Sequence, residues 1–547
     1  MVFTLHRYIF REIFKVFILS AVALTLILSL GSILRPVAEY GAGPRQVVHL
    51  MGYFLPITLT FVLPMAALFA TALVYGRFAS DNELDACRAS GISLLTLVYP
   101  GLALAIMVAT ANLILSFHVM PAFVKRAEKS LKADAKQILF RNVQRNGYYK
   151  LPPDGRYLIY ADRAEPQNDM LWGVVVTEVK GCGIKRIITA ERASVHFNPH
   201  EKFNEVQITA YNTHQMGTAD AGSFYAEQLP VSTEFGSLLS DDIKFKKIDE
   251  IKRIRADLMR FYPIAKLAHQ TYAQFITELL AEFISAQTAV APRTGTAGLG
   301  TTNPARGFCR LHSGQKLVEF TAESCCLVDE QKIELSGDVM VIESDVDSGQ
   351  PLLTLRSAKA WLHIEAEESS PMLTMYVDNP TWQQWDGLQG LAQRHIIRGL
   401  VLPAEVTDRF ASEDVLRNIS PASITSALQK EPGPVLKDLQ SKLHRKIRKS
   451  LAEIKAEIHS RLVFGIGCVT LIMIGIGLGF VFKGGHLLSA FGASSVPAAV
   501  LIVCIMMGKN ITKNLGAQAG SGVAMMWVGL AFLSLLAGLL YHRLLKN

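Results

Sequence analysis

The chain is short of charge. Asp, Glu, Lys and Arg make up 19% of its 547 residues, below the roughly 25% of an ordinary globular protein, and stretches near both ends carry none. No Gly-x-x-x-x-Gly-Lys-Ser/Thr segment occurs, so the chain does not cradle ATP phosphates in a P-loop. His-Glu-x-x-His, Gly-x-Ser-x-Gly and paired carboxylates within the apolar stretches are also missing, which removes the familiar zinc-protease, serine-hydrolase and proton-relay signatures. The seven cysteines have no spacing with histidine that suits zinc. The net charge of +8 comes without a basic run interleaved with aromatics. That disfavours nucleic acid and leaves anionic lipid or positive-inside topology as its meaning.

What is present is hydrophobicity, at 50% of residues with a mean hydropathy of +0.26. It is concentrated at the two ends of the chain. A helix needs about 20 apolar residues to cross roughly 30 Å of hydrocarbon, because every backbone group must be satisfied internally. Segments 16–34, 53–75, 94–120, 462–482, 490–507 and 523–541 meet that length. Basic residues precede the first, but no small-residue cleavage site follows it, so it reads as a span rather than a signal peptide. Counting Lys and Arg near span ends sets the orientation. With the N-terminus inside, the cytoplasmic segments hold Arg7, Arg11, Lys15, Arg77, Arg88, Lys483, Arg543 and Lys546, against Arg35, Arg45, Lys509 and Lys513 in the opposite short loops. Both termini are therefore expected in the cytoplasm and the middle domain outside.

From Gly147 onward, short runs alternate apolar and polar residues between turn residues, as strands do. A weak repeat runs through them. Residues 188–195 (Ile-Thr-Ala-Glu-Arg-Ala-Ser-Val) recur as 320–327 (Phe-Thr-Ala-Glu-Ser-Cys-Cys-Leu) and, more loosely, as 355–362. The first two lead after a polar turn into 206–208 and 333–335, like successive antiparallel rungs. The expectation is an antiparallel β jelly roll or open sandwich. Segment 248–285 has helical spacing, 291–305 is a Gly/Thr/Pro-rich linker, and 435–460, dense in Lys, Arg and Glu, reads as a helical stalk into span four. A disulfide among Cys182, Cys309, Cys325 and Cys326 is open if this domain lies outside the cell membrane.

Two features suggest binding. The loop 77–90 has the pattern of a short amphipathic helix, with Phe78, Leu84 and Cys87 on one side and Asp81, Glu83, Asp85 and Arg88 exposed; such a helix can dock in a partner's groove. Arg35, Arg45, Lys125, Arg126, Arg461, Lys509 and Lys513 all lie near span ends on the outer side, where basic residues are not favoured. Their clustering suggests an anion such as a lipid phosphate, with headgroup anchoring as the competing explanation. His118, at the end of span three, reads as interfacial.

Three segments carry a family resemblance: Arg7-Tyr8-Ile9-Phe10-Arg11-Glu12, the loop from Gly76 to Ser93, and Glu457-Ile-His-Ser-Arg461 running into span four. With the span layout, they resemble the LptF/LptG (YjgP/YjgQ) permeases of the lipopolysaccharide export ABC transporter. The Thr-Ala-Glu phrases and Ser336-Gly-Asp-Val339 look like strands of the periplasmic lipopolysaccharide-transport proteins. The resemblance implies an α-helical membrane protein of six transmembrane helices, three and three, with an inserted antiparallel β jelly-roll periplasmic domain. Its parts are expected at 1–123 (spans one to three, with a cytoplasmic coupling loop at 76–93), 124–245 and 307–400 (two parts of the jelly roll), 246–306 (helical insertion and linker), 401–460 (helical connector) and 461–547 (spans four to six).

Function follows as an expectation of the resemblance. The chain is a permease subunit in the bacterial inner membrane that takes lipopolysaccharide from the outer leaflet and passes it through its jelly roll to a periplasmic bridge. It binds no cofactor or metal itself. ATP is used by a cytoplasmic ABC ATPase dimer, and a second six-span subunit, a paralogue or a second copy, completes the cavity. Arg77, Asp81, Glu83, Leu84 and Arg88 are the implied ATPase-coupling residues, with Glu83 foremost; lipid A phosphates are the anion implied for the basic set. The alternative is a membrane-anchored scaffold or binding protein without transport.

Overall fold

The computed structural model describes residues 2–40, 44–150, 157–180, 183–199, 204–217, 224–235, 242–288, 308–314, 316–329, 331–345, 349–366, 371–407, 431–481, 487–514 and 519–546. Among these, six helices are long and apolar enough to cross a membrane: Phe3–Ser29, Leu55–Ser80, Leu94–Lys129, Pro434–Val481, Ser494–Asn514 and Gly520–Leu544. Each overlaps an expected span, three before a β-rich centre and three after it, although the first begins at Phe3 rather than residue 16 and the fourth at Pro434 rather than 462. The expected linker at 291–305 lies outside the described residues.

In chain order the helices are α1 (Val2–Tyr40), α2 (Pro44–Ser80), α3 (Glu83–Ala89), α4 (Leu94–Ile114), α5 (Met120–Asn146), α6 (Ile248–Ala256), α7 (Tyr262–Thr288), α8 (Ala404–Thr407), α9 (Pro434–Val481), α10 (Leu487–Asn514) and α11 (Ala519–Lys546). The helical readings of 248–285 and 435–460 correspond to α6 with α7 and to the first half of α9. Chain contacts divide the protein into two units, one of Met1–Asp257 with Arg448–Asn547 and the other of Leu258–Ile447.

In the first unit, α1, α2, α4 and α9 share a core around Ile13, Val62, Ala66, Leu104, Ile472 and Ile476. Val463, Leu471, Leu501, Met526 and Leu533 form a second one between α9, α10 and α11. Lipid is as apolar as leucine, so close packing rather than water exclusion holds such helices together, and small residues permit the closest approach. Gly475 and Gly479 put α9 directly on α2: a Cβ at Gly479 would lie 2.8 Å from the Tyr75 Cβ and 2.9 Å from the Ala72 carbonyl oxygen. Gly508 and Gly522 bring α10 and α11 together in the same manner.

Helix α4 passes through a π-helical turn, Leu115–Val119, into α5. The far end of α5 supplies Leu139, Phe140 and Val143 to the core of a six-stranded antiparallel meander, so that span three is continuous with the packing of the sheet. Its strands are β1 (Tyr148–Lys150), β2 (Tyr157–Glu165), β3 (Met170–Lys180), β4 (Gly183–Pro199), β5 (Asn204–Gly217) and β6 (Phe224–Phe235), paired in sequence order. Alternation places Ile159 and Ala161, Val174 and Val176, and Val206, Ile208 and Ala210 on the buried face. The first repeat lies in β4, and its Val195 faces Ile208 of β5.

The second unit holds nine antiparallel strands: β7 (Cys309–Ser313), β8 (Lys316–Thr321), β9 (Ser324–Asp329), β10 (Lys332–Asp345), β11 (Pro351–Ala366), β12 (Pro371–Asp378), β13 (Thr381–Gln384), β14 (Gln389–Leu391) and β15 (Arg394–Val401). Their order is β14-β13-β11-β12-β15-β7-β8-β10-β9, and the further β10–β11 pairing closes a circuit of six strands. The second repeat forms the β9–β10 rung, Leu327 opposite Ile333. Helix α7 buries Ile276, Leu279, Leu280 and Ile284, and its Gln274 side chain accepts the Gln331 backbone N–H at 3.0 Å. Cys309, Cys325 and Cys326 are free thiols, while Cys182 lies outside the described residues. Burial pushes the thiols of Cys309 and Cys325 up to about 12 and about 11, which keeps both protonated and unreactive at neutral pH.

Candidate functional site

The expected helix over 77–90 is divided: Arg77 and Phe78 belong to the end of α2, Asp81 and Asn82 form a turn, and only Glu83–Ala89 is a separate helix, α3. Asn82, in the left-handed region at φ 57°, turns the chain out of α2 and into α3, a conformation that asparagine tolerates better than most residues. Ser93 then caps α4 by accepting the Thr96 N–H. Leu84 of α3 is buried in the core that also holds Ile9, Tyr75, Phe78 and Leu97, with Cys87 packed beside it. Tyr75 donates its hydroxyl to the Leu97 carbonyl at 2.8 Å and ties α2 to α4. Asp81, Glu83, Asp85 and Arg88 are exposed, and Arg77 reaches Glu12 of α1 at 3.5 Å. The five expected coupling residues therefore fall together. Leu84 differs in role from the other four: it is buried in that core, whereas Arg77, Asp81, Glu83 and Arg88 are exposed.

The basic residues expected to bind phosphate are arranged otherwise. Arg461 is buried at 4% exposure. Its Nε donates to Glu457 at 3.0 Å, its Nη atoms donate to the Lys246 and Lys244 carbonyls at 3.3 and 2.8 Å, and its guanidinium lies over the Phe117 ring. Lys509 of α10 meets the other Glu457 oxygen at 2.6 Å, and Lys513, one helical turn on, is 3.4 Å from Glu453. Glu457 thus neutralises two cations in a buried cluster that joins α9 to α10 and to the segment following β6. Lys125 pairs with Glu250 of α6. Arg126 is exposed and lies over Phe123, at 5.6 Å, on its own helix; among the described residues it has no carboxylate partner. Arg35 and Arg45 lie outside the residues whose side chains are described. Span-end counting treats each cation as free, whereas four of these seven have carboxylates in the fold.

Burial raises the carboxyl of Glu250, but the Lys125 ammonium outweighs it and holds the group below the usual carboxylate range. Asp242, beside Lys244, is lowered in the same way. A carboxylate lowered on folding stabilises at neutral pH, and that contribution is lost as pH falls through its folded value. Glu250→Gln should therefore flatten the acid-side fall in melting temperature, followed by thermal unfolding of the purified chain between about pH 5 and pH 3. Glu278 of α7 has the opposite sign. Burial raises it although it accepts the Gly433 N–H at 2.9 Å, so its protonation on folding stabilises in mild acid.

His118 is exposed on the π-helical turn. Among the described residues no group of three or more His, Cys, Asp or Glu is placed to hold a metal ion.

Comparison with known families gives one match, to the family described as "Lipopolysaccharide export system permease LptF/LptG", over residues 7–299 and 369–543. It reaches into all six apolar helices and covers most of the chain. No curated protein matches.

Proposed function

The chain belongs to the LptF/LptG family of lipopolysaccharide export permeases, a transport component of an ABC transporter, and from that premise we propose how it divides the work with its partners. It is one half of the membrane part, paired with a second six-span subunit. Both termini and α3 face the cytoplasm, and the β-rich centre faces the periplasm, as the bias of Lys and Arg at span ends supports. Lipopolysaccharide enters laterally from the outer leaflet, and an ATPase dimer beneath the membrane supplies the energy. The lipid leaves along the β domain to a periplasmic bridge of similar folds. This chain itself binds no cofactor.

The observation that carries this reading is the way α3 is held. Leu84 on its apolar side is buried in the core shared by α1, α2 and α4, with Cys87 packed against it, so displacement of its charged side is passed to that core. A nucleotide-driven change in a partner gripping Glu83, Asp81, Arg77 and Arg88 reaches the spans without an intervening flexible link. Coupling of this kind requires the partner to bind the two transporter states with different affinity. Of the basic set, Arg126 is the member assigned to the lipid phosphate, since Lys125, Arg461, Lys509 and Lys513 already have carboxylates; Arg35 and Arg45 keep the same assignment from their sequence positions.

Glu83 is exposed and contributes little to the fold, so its charge can be reversed without unfolding the spans. Glu83→Arg is expected to lower co-purification of the ATPase by about tenfold or more through like-charge and desolvation costs at the interface, at unchanged membrane abundance. Undiminished co-purification removes the docking role.

A further inference from the structure

Helix α9 carries two stripes where the charged stalk meets the membrane. Glu453, Glu457 and Arg461, four residues apart, form the stripe engaged with α10. The other stripe is partly open, with Leu451 and Lys455 exposed and Ile454 buried behind them. Leu451, Ile454, Lys455, Ile458 and His459, with Arg255 of α6, line a cavity of about 440 Å³. Arg255 and Lys455 are exposed, and among the described residues neither has a carboxylate within ion-pair distance. Trp527 of α11 donates its indole N–H to His459 Nδ1 at 3.3 Å, which leaves the proton of a neutral ring on Nε2 as a further donor. Leu451 remains 39% exposed.

We propose that this cavity binds the phosphate of a phosphorylated, multiply acylated glycolipid that has already risen part of the way out of the bilayer. The inference rests on the export reading and adds a site to it. Two cations and a ring N–H converge as a phosphate requires. The apolar wall separates a lipid from a free phosphate ion, and depth separates it from a resident phospholipid. The apolar run of span four begins at Leu462, so at a rise of 1.5 Å per residue Lys455 stands about 10 Å and Leu451 about 16 Å beyond it. The headgroup layer extends only roughly 5–7 Å past the hydrocarbon. A resident phospholipid directs its chains away from Leu451 into the bilayer. A lifted lipid brings acyl chains against Leu451 and Ile458 while its phosphate meets Lys455 and Arg255.

A photoreactive amino acid at Leu451 of the full chain, assembled with its partners in living cells, tests the site. The expected product is an adduct containing lipopolysaccharide. Its yield should fall about tenfold when Arg255→Glu and Lys455→Glu are combined at equal membrane abundance, and should recover with Arg255→Lys and Lys455→Arg. An adduct of bilayer phospholipid alone, or a lipopolysaccharide adduct that ignores the charge reversal, overturns the site. Depletion of the chain separates the two levels. If lipopolysaccharide still reaches the cell surface without it, the export reading fails. If delivery stops and the probe still captures no glycolipid, the site alone fails.

Discussion

Glu457→Ala is expected to destabilise the membrane-spanning unit by about 3–5 kcal/mol, because it leaves two cations together with no counter-charge in a buried place. Arg461 and Lys509 both take their neutralisation from this carboxylate, and Arg461 is nearly without solvent contact. Thermal unfolding of the purified chain and its abundance in membranes should both show the loss. Simultaneous replacement of Glu457, Arg461 and Lys509 by Leu removes the charges together with their partners, which often restores stability. Here it should restore only part, since the Lys244 and Lys246 carbonyls lose the guanidinium donors, at roughly 1–3 kcal/mol for each group left buried and unsatisfied. A triple variant no better than Glu457→Ala would show that the cluster acts through shape rather than charge balance.

The second large effect is steric. Gly479→Leu places a side chain where the backbone of α2 already lies, and Gly475→Val does the same near the Leu68 carbonyl oxygen, 2.7 Å from a Cβ there. Overpacking a core costs typically about 1–3 kcal/mol when side chains can shift. Here the obstacle includes backbone, so the cost should reach or pass the upper end of that range. Gly538→Ala serves as the control, since nothing lies within 4 Å of a Cβ at Gly538. Melting temperatures of the three variants in one detergent check the order: Gly538→Ala near the parent, Gly475→Val lower, Gly479→Leu lowest. Equal melting temperatures would mean that α9 does not depend on its contact with α2.

Local physics makes much of this legible in the sequence. An apolar run of about twenty residues has one stable answer in a membrane, and all six were read. Alternation along 206–211 and 333–335 identifies half-buried strands, and the apolar spacing puts Leu84 on the buried side of α3, although Phe78 reaches the same core from α2. What escaped depends on contacts distant along the chain. Lys509 finds Glu457 across 52 positions and Lys125 finds Glu250 across 125, and no local pattern announces either pair. Two signals are nonetheless local. Glu457 and Arg461 are four apart on one helix, the spacing of an ion pair. Gly475 and Gly479 have the small-xxx-small spacing of a close helix contact. The closed circuit of strands was out of reach because it depends on β10 meeting β11 along most of its length while also serving β8 and β9.

Span three does not end at the membrane. The helix that begins at Leu94 continues through its π-helical turn to Asn146 and is anchored at the far end in the core of the six-stranded sheet by Leu139, Phe140 and Val143. Mechanically this is a lever with its load fixed to the tip. The arm from Met120 to Asn146 is about 40 Å long, so a tilt of about 10° at the π-helical turn sweeps the sheet through about 7 Å. A sheet carried in this way moves as far as the helix sends it, and a small rotation among the spans becomes a stroke longer than one turn of helix, about 5.4 Å.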